Sequence, residues 1–178
     1  MALKAKREHW TGKIYVMTGD GEVDEGSVWE AAMAAAQFQL NNLVFIVDRN
    51  GMQSDGANCD IMSMDTLDEK LTAFGFDTVV VNGHDYEELI RAFERVGKTD
   101  KPNAVILDTV KGKGISFMEN DNQWHHEILK KELLEQAVEM GVNTVRVYEL
   151  APPEFYRALF EINQNSDDKL YLIQTIKG

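Results

Sequence analysis

The chain has 178 residues, and its 18 lysines and arginines against 30 aspartates and glutamates give a formal charge of −12. A surface this acidic repels nucleic acids and anionic lipids, so neither is expected as a partner. With 44% hydrophobic and 27% charged residues, the composition is that of an ordinary globular protein rather than a disordered one.

Cysteine content and hydropathy indicate where such a protein would reside. The single cysteine, Cys59, excludes an internal disulfide and is typical of a reducing compartment. No apolar run approaches the roughly 20 residues that a membrane-spanning helix needs, and the first residues lack the apolar stretch of a signal peptide. We therefore expect a cytoplasmic protein.

Apolar, β-rich runs alternate with helix-like segments along most of the chain. In chain order, the patterns predict a strand at 14–18, a helix at 26–40, a strand at 43–48, a loop at 52–63, a helix at 66–74, a strand at 77–81, a helix at 85–97 with Asp85 as its N-cap, a strand at 103–110 and a helix at 127–140. This alternation predicts an α/β fold, a mostly parallel sheet with helices on both faces.

The last part of the chain differs in kind from the rest. It carries two of the three prolines, Pro152 and Pro153, before a predicted helix at 154–161, and a β-like run follows at 170–176. We therefore expect one domain over residues 1–142 and an appended helix and strand element over residues 143–178.

Two predicted strands end in residues that suit a bound phosphate and metal. Gly19, Asp20 and Gly21 follow the first strand, and Asn50 follows the second. Ligands of parallel sheets bind outside the carboxyl ends of the strands, and glycines let the backbone approach them closely. One carboxylate, one amide oxygen and a loop carbonyl make a sparse oxygen site, which suits Mg²⁺ when a phosphate supplies other ligands. The alternative, an ordinary turn of the same sequence that ends a strand without binding a ligand, stays open.

The residues between and around these glycines resemble the thiamine diphosphate-binding domain of transketolases. The resemblance is carried by the run GDGEVDEGSVWEAAMAAAQFQLNNLVFIVDRNGMQSDG, and then by VVNGHDYEEL and DTVKGKGISFMENDNQWHH. It covers roughly residues 2–142. It implies the thiamine diphosphate-binding fold, with thiamine diphosphate and Mg²⁺ as cofactors. The implied reaction, in the pentose phosphate pathway, moves a two-carbon ketol unit from a ketose phosphate to an aldose phosphate.

The resemblance also implies which residues hold the cofactor. The side chains of Asp20 and Asn50 and the main-chain carbonyl of Met52 would be the Mg²⁺ ligands. Gly19 and Gly21 would line the diphosphate, with a backbone N–H of their turn donating to a phosphate oxygen.

Three further residues match functional positions of the family. Glu25 and Glu30 match acidic residues at the dimer interface that link two active sites, although a charge at a helix N-terminus is an equal explanation for Glu30. His125 matches the catalytic histidine near the diphosphate and the substrate carbonyl, where it could move protons.

Part of the family's active site has no counterpart in the sequence. The resemblance covers the family's cofactor domain only from a point after its beginning, and it does not include the pyrimidine-binding domain. We expect a partner chain to supply that domain, as in transketolases split into two subunits, or a homo-oligomer to form. The strand at 170–176 could cover the sheet edge that the missing beginning leaves open. Two alternatives stay open: another thiamine diphosphate-dependent transferase, and a truncated, non-catalytic interaction module.

Overall fold

A computed structural model describes residues 1–125, 129–147, 151–165, 167 and 169–174 of the chain. The chain forms two compact units, Met1–Lys111 and Gly112–Gly178, each with a hydrophobic core of its own. The division lies earlier than residue 142, at which we expected the domain to end. The extent of the domain stays a prediction, because compactness alone does not define it.

The first unit is built on a parallel sheet. Its strands are β1 (Ile14–Gly19), β2 (Leu43–Arg49), β3 (Met52–Gln53), β4 (Gly56–Ala57), β5 (Asp77–Asn82) and β6 (Asn103–Asp108). Four of them form the central sheet in the order β1-β2-β6-β5, and all of its neighbouring strands run parallel. The predicted α/β fold with a mostly parallel sheet is confirmed.

Helices cover both faces of this sheet. The helices of the unit are α1 (Ala2–Arg7), α2 (Gly26–Gln37), α3 (Asn58–Ile61), α4 (Leu67–Ala73) and α5 (Tyr86–Arg95), of which all but α3 contribute to the two clusters on the sheet. Phe45 and Val47 of β2 pack in one cluster with α2 and α4, whereas Val44 packs in another with Ala92 of α5. Because neighbouring residues of a strand point to opposite faces, these clusters lie on the two sides of the sheet.

The local signals at the strands and at α5 are confirmed as predicted. Val44 and Val47 are fully buried, as expected for a strand covered on both faces. Asp85 caps α5, and its carboxylate accepts hydrogen bonds from the N–H groups of Glu87 and Glu88.

The predicted loop over residues 52–63 is wrong in part. It contains the antiparallel hairpin of β3 and β4, followed by the single turn of α3. Gly51 precedes this hairpin and Gly56 begins its second strand, with φ of +77° and +152°, which residues other than glycine rarely adopt. Strands of two residues are too short to leave an alternating pattern in the sequence, and the glycines beside them are typical of loops.

The second unit contains two helices and a small sheet. Its elements are α6 (Lys131–Glu139), β7 (Thr144–Val147), α7 (Pro153–Asn165) and β8 (Tyr171–Gln174), and β7 pairs parallel with β8. Leu134 of α6 packs with Phe155 and Ala158 of α7 in the core. The tail strand thus pairs with β7. Residues 127–128 of the helix predicted at 127–140 and residues 175–176 of the strand predicted at 170–176 lie outside the described residues.

None of the helices among the described residues is long and apolar enough to cross a membrane.

Asn103 connects the beginning of β6 to neighbouring segments of the chain by hydrogen bonds. Its side chain is buried, donates to the carbonyls of Asn41 and Leu43 and accepts from the N–H of Gly97. Asn103→Ala leaves these groups without that partner, so we expect the free energy of unfolding to fall by about 2–4 kcal/mol in urea denaturation. Gln37→Ala, at an exposed helix position, is the control and should change it by less than about 0.5 kcal/mol. Equal stability of the two variants would contradict this role.

An exposed ion pair joins the two helices of the second unit. The ammonium of Lys131 donates to the carboxylate of Glu161, which lowers the pKa of Glu161. Because this pKa is lower in the folded chain than in the unfolded one, the pair stabilises the fold at higher pH. That stability is lost as the pH falls through the folded-state pKa. Lys131→Gln should return the pKa of Glu161 towards its ordinary value in an NMR carboxyl titration, and an unchanged pKa would refute the pairing.

Candidate cofactor and metal site

The strands of the central sheet end together at one edge. The register pairs Gly19 of β1 with Asp48 of β2, and Arg49 of β2 with Asp108 of β6. Asp108 in turn pairs with Asn82 of β5. The loops that follow these strands therefore emerge side by side, as expected for a ligand site of a parallel sheet.

Asp20 is the centre of this edge. Its side chain is 1% exposed, and its Oδ1 accepts from the N–H of Gly21 at 2.9 Å. Its Oδ2 accepts from the N–H of Gly51 at 2.6 Å, and its own N–H donates to the carbonyl of Asp48 at 3.0 Å. The turn after β1 and the loop after β2 are therefore in direct contact through this carboxylate.

The burial of Asp20 bears on what the site can bind. Among the described residues, the carboxylate forms no ion pair, and the groups that donate to it are the backbone N–H groups of Gly21 and Gly51. A buried carboxylate is costly unless hydrogen bonds or a cation compensate its charge, and each of its oxygens retains a free lone pair. The site thus has the charge and the free acceptor capacity to bind a cation.

The loop after β2 holds the other two predicted ligands in a defined shape. The Oδ1 of Asn50 accepts from the N–H of Met52 at 3.0 Å, which leaves this amide oxygen one further lone pair. Between them, Gly51 adopts the left-handed conformation, and its carbonyl accepts from the N–H of Asn58. These hydrogen bonds therefore hold the loop at both of its ends.

The donor set fits one class of metal ion. A carboxylate, an amide oxygen and a main-chain carbonyl are hard oxygen ligands, which Mg²⁺ prefers over the nitrogen and sulfur ligands that zinc takes. Within the described residues, no group of three or more His, Cys, Asp or Glu side chains could hold a metal. A metal at Asp20 must therefore take most of its remaining ligands from water or from a bound anion.

The glycine turn presents a backbone donor to an anionic oxygen. The N–H of Gly19 donates to Oε2 of Glu22 at 2.6 Å. Around Gly19 there is open space, since an added β-carbon would meet only this carboxylate, at 3.7 Å. Gly21 differs, because its N–H is used by Asp20 and an added β-carbon would lie 3.0 Å from Cγ of Gln53.

Two side-chain contacts join the ends of β2 and β6 beside this loop. Arg49 donates from Nε to Oδ1 of Asp108 at 2.6 Å, and this hydrogen bond raises the pKa of the guanidinium. The hydroxyl of Thr109 donates to the carboxylate of Asp48. No sequence pattern indicates either contact, because the partners are 59 and 61 residues apart.

His84 is a further residue at this edge that the sequence patterns did not single out. Its Nε2 accepts from the N–H of Val110 at 2.8 Å, so in this arrangement the ring proton is on Nδ1. The bond connects the turn after β5 with the segment after β6. The position of His84, directly before the helix cap Asp85, indicates only a helix-start turn in the sequence.

The structure also describes Glu25, Glu30 and His125, the remaining predicted site residues. Glu25 is exposed at the N-cap position of α2, and Glu30 is exposed within that helix. His125 belongs to the second unit, where it is exposed at the end of the 3-10 turn Asn122–His125. The neighbouring His126 lies outside the described residues. The roles of Glu25, Glu30 and His125 stay predictions.

The two glycines of the turn should respond differently to substitution. Gly21→Ala places a methyl group against the side chain of Gln53, so we expect the free energy of unfolding to fall by about 1–3 kcal/mol. Gly19→Ala meets only ordinary contact distances and should change it by less than about 0.5 kcal/mol. Thermal unfolding of both variants tests the difference, and a larger loss for Gly19→Ala would contradict the described packing.

Known proteins similar in sequence to this chain are transketolases and their subunits. The family described as "Transketolase, thiamine diphosphate binding domain" matches residues 4–170, past residue 142 where the resemblance seen in the sequence ends. An apulose-4-phosphate transketolase subunit of Phocaeicola vulgatus is 45% identical over 139 residues, which are 78% of this chain and 50% of that protein. Mouse transketolase is 42% identical over 128 residues, 71% of this chain and 20% of that protein.

Solved structures give the same result. The transketolase from Campylobacter jejuni superposes with a TM-score of 0.71 at 30% identity, over 79% of this chain and 23% of that one. The matched part of the chain thus spans about half the length of the relatives named as subunits and about a fifth of the length of mouse transketolase.

Proposed function

The chain belongs to the transketolase family, as a form of its thiamine diphosphate-binding domain, and we propose that it binds thiamine diphosphate together with Mg²⁺ as one part of a transketolase. The observation that carries this proposal is the hydrogen bond from the N–H of Gly51 to Oδ2 of Asp20 at 2.6 Å. It joins the two loops whose residues would share the metal ion.

The proposed metal ligands are the side chains of Asp20 and Asn50 and the carbonyl of Met52. Their support is the burial of Asp20, its free lone pairs and the fixed loop that carries the other two oxygens. A site with a single carboxylate leaves several positions on the ion for diphosphate oxygens, which is how Mg²⁺ usually binds phosphates in proteins.

The proposed diphosphate site is the turn that Gly19 and Gly21 form. The N–H of Gly19 already holds a carboxylate oxygen of Glu22, so it has the direction and space to hold a phosphate oxygen once Glu22 moves away. Such backbone dipoles, together with the metal, compensate the cost of removing a diphosphate from water.

The chemistry divides between cofactor and protein. When bound, thiamine diphosphate supplies the nucleophilic carbon and the electron sink needed to cleave a bond beside a carbonyl. We assign to this chain the anchoring of the diphosphate and, at His125, the holding or moving of a proton at the substrate's carbonyl oxygen. Glu25 and Glu30 would lie where two cofactor sites meet in an oligomer.

We extend the proposal to the reaction and the assembly. The reaction would transfer a two-carbon ketol unit from a ketose phosphate to an aldose phosphate, as in the cytoplasmic pentose phosphate pathway. A partner chain would supply the pyrimidine-binding domain. The support for a partner is that related proteins are named as subunits, among them a 6-deoxy-6-sulfo-D-fructose transketolase subunit from Clostridium sp. that is 39% identical over 139 residues.

Loss of the Asp20 carboxylate should abolish cofactor binding. We expect Asp20→Ala to weaken Mg²⁺-dependent binding of thiamine diphosphate at least about 100-fold, equivalent to about 2.7 kcal/mol. The reason is that the variant lacks the negatively charged carboxylate that would hold the metal ion. The measurement is calorimetric titration of the complete chain with its partner subunit, with Mg²⁺ and with EDTA.

The matched control is Asp55→Ala, which removes an exposed carboxylate from the tip of the hairpin. It should bind like the wild type. If the wild-type complex binds no thiamine diphosphate, the proposed cofactor role is wrong and a non-catalytic interaction module takes its place.

A further inference from the structure

Thr109, directly after β6, contacts the ends of both neighbouring strands. β6 lies between β2 and β5 in the sheet. Towards β2, the N–H of Thr109 donates to the carbonyl of Arg49 at 3.2 Å, and its hydroxyl donates to the carboxylate of Asp48. Towards β5, its methyl carbon lies so close to Gly83 that an added β-carbon would be 2.5 Å from it. One side chain therefore reaches two loops of the candidate site through two different groups.

The hydroxyl of Thr109 acts on the end of β2. Among the described residues, Thr109 is the side chain that donates to the carboxylate of Asp48, and a hydrogen bond to a carboxylate is stronger than one between neutral groups. The main-chain carbonyl of Asp48 accepts from the N–H of Asp20 at 3.0 Å, and Asn50 follows two residues later. The hydroxyl thus holds a residue that lies beside both proposed side-chain ligands of the metal.

The methyl group of Thr109 acts on the turn after β5. Gly83 begins this turn, and its N–H donates to the carbonyl of Asp108 at 2.8 Å. His84 follows, and its Nε2 accepts from the N–H of Val110, the residue after Thr109, at 2.8 Å. The close contact between the methyl group and Gly83 therefore supports the turn in the position at which His84 bonds to Val110.

We infer that Thr109 is a positioning residue of the proposed cofactor site, which holds the loop with Asn50 through its hydroxyl and the turn with His84 through its methyl group. The inference rests on the proposed function. Residues that bind an ion directly depend on partners behind them that fix their orientation. Because the two contacts come from different atoms of one side chain, substitutions can remove them one at a time.

The first test removes the hydroxyl alone. Thr109→Val keeps a methyl group against Gly83, and we expect it to weaken Mg²⁺-dependent binding of thiamine diphosphate about 10-fold, the lower end of the usual effect of losing a group that orients a metal ligand. Thr109→Ser keeps the hydroxyl and should bind the cofactor as the wild type does. The measurement is calorimetric titration of the complete chain with its partner subunit in the presence of Mg²⁺.

The second test removes the methyl group alone. Thr109→Ser leaves a gap beside Gly83, so the bond between the N–H of Val110 and His84 should open more often. We expect hydrogen exchange of the segment with Val110 to be about 3- to 10-fold faster than in the wild type, by mass spectrometry of the same complex without cofactor. Thr109→Val should leave this exchange unchanged.

The matched control is Thr99→Val, which removes a threonine hydroxyl at the opposite end of the sheet. The hydroxyl of Thr99 donates to Oδ2 of Asp77, the first residue of β5, at 3.4 Å. This variant should change neither the cofactor affinity nor the exchange of the segment with Val110. Equal losses of affinity in Thr99→Val and Thr109→Val would show general destabilisation and overturn the inference.

A double-variant cycle tests whether the effect of the hydroxyl passes through Asp48. In the Asp48→Ala background, Thr109→Val should weaken cofactor binding no further, because the partner of the hydroxyl is already gone. A further loss of the full size would overturn the assigned role. Should Thr109→Val fail to fold, as circular dichroism would show, Thr109→Ala takes its place and should show both weaker binding and faster exchange.

Failure of the inference and failure of the proposed function give different results. If Thr109→Val binds thiamine diphosphate as tightly as the wild type while Asp20→Ala loses it, the site is correct but Thr109 does not position it. If the wild-type complex binds no thiamine diphosphate with Mg²⁺, the proposed function fails, and the inference with it.

Discussion

The contact between the Asp20 carboxylate and the N–H of Gly51 is the interaction on which the architecture of the candidate site depends. It requires β1 and β2 to be neighbours in parallel register, since only then do the turn after one strand and the loop after the other emerge together. The apolar core that buries both faces of β2 therefore determines where a carboxylate and an amide meet.

Around this contact, the ends of the strands are joined by a series of polar bonds. Arg49 with Asp108 and Thr109 with Asp48 connect β2 to β6, while His84 connects the turn after β5 to Val110. Each of these bonds is formed in one arrangement of the loops, and so each favours that arrangement.

Sequence patterns predicted what depends on local or repeated signals. The apolar run of β2 and the cap at Asp85 identified their elements, and the strand ends of β1 and β2 identified Asp20 and Asn50 as neighbours. What the sequence did not predict depends on strand order. Arg49 meets Asp108 because β6 lies between β2 and β5 in the sheet, although β5 precedes it in the chain. The short strands β3 and β7 were not predicted for a different reason. With two and four residues, they are too short to show a detectable hydrophobic pattern.

The single carboxylate at the proposed metal position would have a thermodynamic consequence. One negative side chain gives little affinity for a free divalent ion, and a bare diphosphate would meet the repulsion of Asp20 and Glu22. Each ligand would therefore be bound weakly alone and strongly together. By reciprocal linkage, the factor by which the ion raises affinity for the cofactor equals the factor by which the cofactor raises affinity for the ion. With such a ligand set, loading would follow the concentration of the ion–cofactor complex rather than that of either component.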